Sequence, residues 1–385
     1  MIIEIRQAGF KNKGAELMLH SVVEKLRNRY PDVKLTMAPT YGGTEDTFEK
    51  MRKLQLYPKL WVYRYGFDFS IFANLLPKSF LNKYGIVLNS EVDIVIDAAG
   101  FSYSDQWGVG SSKELAISSS KWKKQSKKII LLPQAFGPYN TENIKKYVST
   151  WANNCDLIFA REQDSYAYLT DIAGEQNKIK LYPDFTNLIK GTLPENYDPS
   201  ERRVAIVPNY RMIDKTNKEE SEAYLPFMIK CAKYMLAKNA KPFILVHEGI
   251  DDQLLAEKIS NQAGGIEILV ETDPLHIKGI LGSCDATIGS RFHGLVSALS
   301  QGVPSLATGW SHKYLRLFED YQFTEGLVSV LDTDSALSKK IDLLIDPDSR
   351  KEIVSNLQSR SKILKAKSEE MWETVFNEID NYNSR

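Results

Sequence analysis

The chain has 385 residues, 43% of them hydrophobic, with 49 Lys and Arg balanced by 49 Asp and Glu. That balance sets up no overall field for nucleic acid or acidic polymers, so any anion site must be local. The length exceeds what one core usually reaches, which predicts two domains.

The N-terminal stretch "MIIEIRQAGF" lacks the basic region, apolar stretch and cleavage site of a signal peptide, and cytoplasmic residence is expected. "IIEIRQAG" predicts a strand. A helix follows over "AELMLHSVVEKLRNRY", where Leu19, Val22, Val23 and Leu26 share one face. The turn "FKNKGAE" between them holds Asn12, Gly14 and Glu16, and a glycine there lets the backbone approach a ligand closely. These three residues are candidate acceptor contacts. The turn lacks the spacing of a dinucleotide fingerprint or a phosphate loop.

After the strand "VKLTMAP", residues 44–87 leave the strand–helix rhythm. One reading is an insertion that packs its aromatics on its own domain. The other is an amphipathic surface for a membrane or lipid-linked substrate, with Trp61, Tyr63, Tyr65 and Phe67 beside Lys59 and Arg64. Charges at Lys59, Arg64, Asp68, Lys78 and Lys83 break it as a membrane span.

"VDIVIDAAG", "KKIILLPQ" and "CDLIFAR" are near-continuous apolar runs, as expected for parallel strands buried on both faces. "FARE" puts Arg161 at a strand end, either as a ligand contact or in an ordinary pair with a carboxylate. "YPDF" leaves Asp184 at another, as a base or a turn residue. The rhythm pauses in "IKGTLPENYDPSERR", which bounds an N-terminal domain over 1–190 and a second over 200–345.

The second half restarts with "VAIVPN", a helix from about Glu219 to Ala237, and "PFILVHEG". Beyond that strand lie His247, Glu248, Asp251 and Asp252. The acids read as helix caps, with the holding of sugar hydroxyls as the other option, and His247 is a candidate acceptor contact. After "IEILVET" and "DATIG", Ser290 reads as an N-cap of "RFHGLVSALSQ", whose Leu295, Val296 and Leu299 share a face. Arg291 and His293 then fall in the first helical turn, where unpaired N–H groups and an arginine fork favour an anion.

"VPSLATGW" is the next strand, and "SHKYLRLFED" opens a helix with Ser311 as cap, then His312 and Lys313. If the two strands run parallel, both helix N-termini emerge at one sheet edge, and the four cationic side chains meet there. The C-terminal helix is apolar at Ile363, Leu364, Met371, Trp372, Val375 and Phe376, and about residues 365–385 are expected to pack back on the first domain.

Cys155, Cys231 and Cys284 lie far apart, against a disulfide framework or a metal knuckle. No metal or cofactor is expected. The fold class read from these elements is α/β, with two Rossmann-like domains facing a cleft.

The block "SRFHGLVSALSQGVPSLATGWSHK", with "NKGAE", "LLPQAFGP", "FAREQDS", "YPDF" and "VHEGIDD", resembles the polysaccharide pyruvyltransferase family. The resemblance implies the glycosyltransferase B-type fold. It also implies transfer of the enolpyruvyl unit of phosphoenolpyruvate to a sugar, as a cyclic pyruvate ketal, with release of phosphate. Donor contacts implied by the matching block are Arg291 and His293, with Arg161 and Lys313 as further ones and Ser290 and His312 beside them. An Asp often follows the glycine of the first loop in the family. Here Ala15 stands there, and Glu16 is the substitute.

Phosphoenolpyruvate carries a phosphate and a carboxylate, so binding it needs several fixed cations. Arg161, Arg291 and Lys313 supply them. A proton must reach its methylene carbon, and His293 is the candidate acid. The acceptor is expected to be a polysaccharide or its lipid-linked precursor at the inner face of a membrane, with no nucleic acid involved. A nucleotide-sugar glycosyltransferase, or a non-catalytic sugar-binding scaffold, is the alternative.

Overall fold

The computed structural model describes residues 1–39, 47–60, 63–64, 67–68 and 77–383. The chain divides into two compact units, one of Met1–Phe185 with Ser368–Arg385, the other of Thr186–Lys367.

The first unit contains strands β1 (Ile2–Arg6), β2 (Lys34–Met37), β3 (Tyr57–Pro58), β4 (Tyr63–Arg64), β5 (Phe67–Asp68), β6 (Ile94–Asp97), β7 (Lys128–Gln134), β8 (Leu157–Ala160) and β9 (Ile179–Leu181). Its helices are α1 (Lys13–Arg29), α2 (Thr47–Lys53), α3 (Lys78–Lys83), α4 (Gly110–Lys124), α5 (Glu142–Asn154) and α6 (Gln163–Ala173). Seven strands pair in parallel in the order β3-β2-β1-β6-β7-β8-β9, while β4 and β5 form an antiparallel pair. The central strands are buried along their length, which is why they read as unbroken apolar runs.

In the second unit the strands are β10 (Val204–Val207), β11 (Pro242–Val246), β12 (Ile268–Val270), β13 (Ala286–Gly289) and β14 (Ser305–Ala307). The helices are α7 (Arg211–Asp214), α8 (Lys218–Ala237), α9 (Gly249–Ala263), α10 (Pro274–Ser283), α11 (Phe292–Leu299), α12 (His312–Asp320) and α13 (Asp334–Ile345). The sheet order is β12-β11-β10-β13-β14, all parallel. The parallel pairing of β13 with β14 carries α11 and α12 to the same carboxyl edge, as the sequence expectation requires.

A final helix, α14 (Pro347–Asn383), is shared by sequence between the units. In the first unit its Met371, Trp372, Val375 and Phe376 are buried, and Trp372 meets Phe185 edge-on with ring centroids 5.9 Å apart. Ile363 departs from the expected apolar face: it is 49% exposed, whereas its neighbour Leu364 is buried. In this part of the helix the buried stripe is narrow, running through Leu357, Ser361, Leu364 and Ser368, and position 363, rotated by about 100° from Leu364, falls outside it.

Of the two readings of residues 44–87, Lys59 fits packing on its own domain and not an interfacial surface. It is buried, and its Nζ lies 2.6 Å from Glu4 of β1. Phe80 and Tyr84 are exposed, with ring centroids 4.8 Å apart. Trp61 and Tyr65 lie outside the described residues. Among the described residues, no helix is long and apolar enough to cross a membrane.

Candidate functional site

In the second sheet the strand order reverses between β10 and β13. Ligands of doubly wound sheets bind beyond the carboxyl ends of the strands at such a reversal. The residues there are Asn209, just after β10, and Ser290 and Arg291, just after β13.

Ser290 is fully buried, and three side chains hold it. Its carbonyl accepts from Asn209 Nδ2 at 2.6 Å and from the Tyr314 hydroxyl at 2.8 Å. Its hydroxyl lies 3.0 Å from that of Tyr224, which in turn accepts the Asn209 N–H at 3.0 Å. Burial pushes both tyrosine hydroxyls above the usual phenol range, so they act as neutral partners. Ser290 is therefore not the helix cap expected of it. Its hydroxyl is taken by α8, and Arg291 occupies the cap position of α11 in an extended conformation.

Arg291 points its fork at α9. Its Nε and Nη2 donate to Asp252 Oδ2 at 2.8 and 2.5 Å, and its Nη1 donates to Glu248. Asp252 Oδ1 accepts the Tyr210 N–H at 2.9 Å. Burial pulls the guanidinium's proton affinity down, but the two carboxylates outweigh it and hold the charge. Reading the acids as helix caps misses this: Glu248 stands at the cap position of α9 without a side-chain bond to that helix. Four residues apart, Glu248 and Asp252 turn toward one cation instead.

His247 directly follows β11 at the same place. A Cβ built on Gly294 of α11 would lie 3.5 Å from Arg291 Cβ and 3.6 Å from His247 Cδ2. Arg291 and His247 thus both border Gly294.

Lys313, the second residue of α12, is buried among aromatic faces. Its Nζ is 4.4 Å from the Trp310 ring centroid and 5.5 Å from those of Phe292 and Tyr314. His293 meets the Phe292 ring edge-on at 5.4 Å. Gly309 makes this packing possible, because a Cβ there would fall 2.1 Å from Tyr314 Cγ. The edge therefore gathers Ser290, Arg291, His293, His312, Lys313 and His247. Glu248 and Asp252 both pair with Arg291 there, where the sequence reading gave these acids to helix capping or to sugar hydroxyls.

The remaining candidates lie in the first unit. Arg161, just after β8, places Nη1 3.0 Å from Asp184 Oδ2, and both side chains are buried. Glu162 caps α6 by accepting the N–H groups of Asp164 and Ser165. Asn12 caps α1, its Oδ1 accepting from Ala15 N–H at 3.1 Å. Gly14 is buried in the first turn, and Glu16 lies 3.2 Å from Lys13 Nζ and 2.8 Å from Lys50 Nζ.

The first sheet reverses between β1 and β6, and a polar cluster fills that point. Arg6 Nε lies 3.1 Å from Asp97 Oδ2, which also accepts the Tyr103 hydroxyl at 2.6 Å, while Arg6 Nη2 pairs with Glu114. The sequence reading missed this cluster and the roles of Asn209, Tyr224, Tyr314 and Asp252. A usable signal was available: Arg6, Asp97 and Asn209 each end or follow a buried strand. Among the described residues, no group of His, Cys, Asp and Glu side chains could hold a metal ion.

The model of the family described as polysaccharide pyruvyl transferase matches residues 12–312. Among solved structures, Anabaena HepE in complex with UDP and glucose superposes with a TM-score of 0.58 at 12% identity, covering 98% of this chain and 99% of that one. Neisseria meningitidis UDP-GlcNAc 2-epimerase bound to UDP-GlcNAc gives 0.56 at 11%, covering 94% and 98%. WaaG, a glycosyltransferase involved in lipopolysaccharide biosynthesis, gives 0.51 at 10%, covering 97% of this chain and 99% of that one. The fold is thus the α/β architecture with two parallel sheets found in B-type glycosyltransferases and epimerases.

Proposed function

The chain belongs to the polysaccharide pyruvyl transferase family, and on that premise we propose that it transfers the enolpyruvyl unit of phosphoenolpyruvate to two hydroxyls of a sugar. The observation that carries the reading is the gathering of Arg291, His293, His312 and Lys313 at the carboxyl edge beside a strand reversal.

In this reading Arg291 and Lys313 hold the donor's anionic groups, with Ser290 and His312 alongside. His293 protonates the methylene carbon, and the first sugar hydroxyl attacks the adjacent carbon. The second hydroxyl then displaces phosphate, closing the ketal. Of the two hydroxyl protons released, one restores His293 and the other leaves with phosphate, so atoms and charge balance. Asp184, paired with Arg161, is the proposed acceptor of a hydroxyl proton, and Arg161 a further donor contact. Asn12, Gly14, Glu16 and His247 are assigned to the acceptor. The acceptor is a cell-surface polysaccharide or its lipid-linked precursor, met at the inner face of a membrane.

The UDP and glucose bound by HepE and the UDP-GlcNAc bound by the Neisseria epimerase favour a second reading, a nucleotide-sugar glycosyltransferase in which Arg291 and Lys313 hold a diphosphate. Isothermal titration separates the two. Binding of phosphoenolpyruvate without binding of UDP-sugars is the expected result. The reverse result overturns the proposal, and a sugar-binding scaffold would take up neither. Mass spectrometry of an oligosaccharide acceptor incubated with phosphoenolpyruvate should then show the added pyruvyl group.

A further inference from the structure

We propose that Tyr314 is a positioning residue: its hydroxyl ties α12 to the carbonyl that precedes Arg291, and so sets the spacing of Arg291 and Lys313 to suit an anion with two separated charged groups. The inference rests on the reading of those two cations as joint contacts of the donor.

The carboxyl ends of three neighbouring strands converge on one oxygen. The Ser290 carbonyl, just after β13, accepts Asn209 Nδ2 from beyond β10 at 2.6 Å and the Tyr314 hydroxyl from α12, which follows β14, at 2.8 Å. A peptide unit is planar, so two donors on that oxygen fix the plane from which Arg291 departs.

Tyr314 also reaches both cations. Its phenol and the Arg291 guanidinium act on one another electrostatically, and Lys313 Nζ lies 5.5 Å from its ring centroid. The residue is 3% exposed and meets Phe292 edge-on at 6.0 Å, and a Cβ at Gly309 would fall 2.1 Å from its Cγ, so the ring has little room to shift. Removing its hydroxyl loosens the tie without stranding a buried acceptor, because Asn209 still donates to the Ser290 carbonyl.

An anion with one charged group needs one cation and is indifferent to the distance to a second. Phosphoenolpyruvate carries a phosphate and a carboxylate at a set separation, so it alone feels a misplacement of the pair.

The test is titration of the full chain with phosphoenolpyruvate, pyrophosphate and inorganic phosphate, each against wild type, Y314F, R291K and the double variant Y314F/R291K, with melting temperatures measured alongside. Y314F should weaken phosphoenolpyruvate binding by about tenfold or more while phosphate affinity stays within about twofold. Its melting temperature should fall by only about 2–4 °C, as for one ordinary hydrogen bond. In the R291K background the fork is already lost, and Y314F should then cost less than about threefold. Phosphoenolpyruvate affinity unchanged or raised in folded Y314F, an equal loss for phosphate, or the same loss in the R291K background overturns the proposal. Should Y314F fail to fold, N209S, which removes the other donor to the same oxygen, is read in the same way. If wild type takes up no phosphoenolpyruvate, the donor reading fails, and pyrophosphate, which also spans two cations, decides the role of Tyr314 by the same comparison. A wild type that takes up neither overturns both.

Discussion

Asp252 Oδ2 accepts both Nε and Nη2 of Arg291, at 2.8 and 2.5 Å, so one buried carboxylate sets the plane of the guanidinium at the end of β13. A fork held in this way enters the anion site already oriented, and a ligand need not meet the entropy of ordering it. Arg291→Ala should therefore weaken phosphoenolpyruvate binding by about 2–4 kcal/mol, and Arg291→Lys should restore only part of it because an ammonium lacks the fork. Wild-type affinity of Arg291→Ala in calorimetry would place the anion site elsewhere.

His293→Gln keeps size and hydrogen bonding but removes the transferable proton. Donor affinity should stay within a few-fold of wild type while turnover falls on the order of a hundredfold or more. A steady-state assay of phosphate release checks this. Near-normal turnover would move the acid role to His312, and lost binding without a separate turnover defect would make His293 a donor ligand alone.

Asp184→Asn removes the carboxylate that pairs with the buried Arg161 guanidinium. Urea unfolding should show a stability loss of about 3 kcal/mol. The proposed base role adds a second loss, at least tenfold in turnover of the folded fraction. Normal turnover there would restrict Asp184 to holding Arg161.

Lys127 offers a pH test of the first unit. Burial pulls its ammonium down to about 8, with Lys59 adding like-charge repulsion, against an ordinary value of 10.5. Between those two values the unfolded chain binds a proton that the folded chain lacks, so stability rises with pH through this window, by at most about 1.4 kcal/mol per pH unit. Lys127→Met removes that dependence. The difference in urea-unfolding free energy, wild type minus variant, should grow from pH 8 to pH 10, and a flat difference would contradict the shift.

The parallel α/β class, the positions of nearly all buried strands and the course of the long helices are legible along the chain, because apolar periodicity is a local property. Arg291, His293, His312 and Lys313 are legible too, since each closely follows an apolar strand. What faces them is set by folding. Asp252 meets Arg291 across 39 positions, Tyr224 takes the Ser290 hydroxyl across 66, and Lys59 joins Glu4 across 55. Such pairings follow spatial strand order, in which β13 lies beside β10 rather than β12, and no periodicity along the chain encodes that order. Charge compensation is likewise a property of distance in space: a cation legible at a strand end becomes a neutralised, oriented fork only when α9 is folded against it.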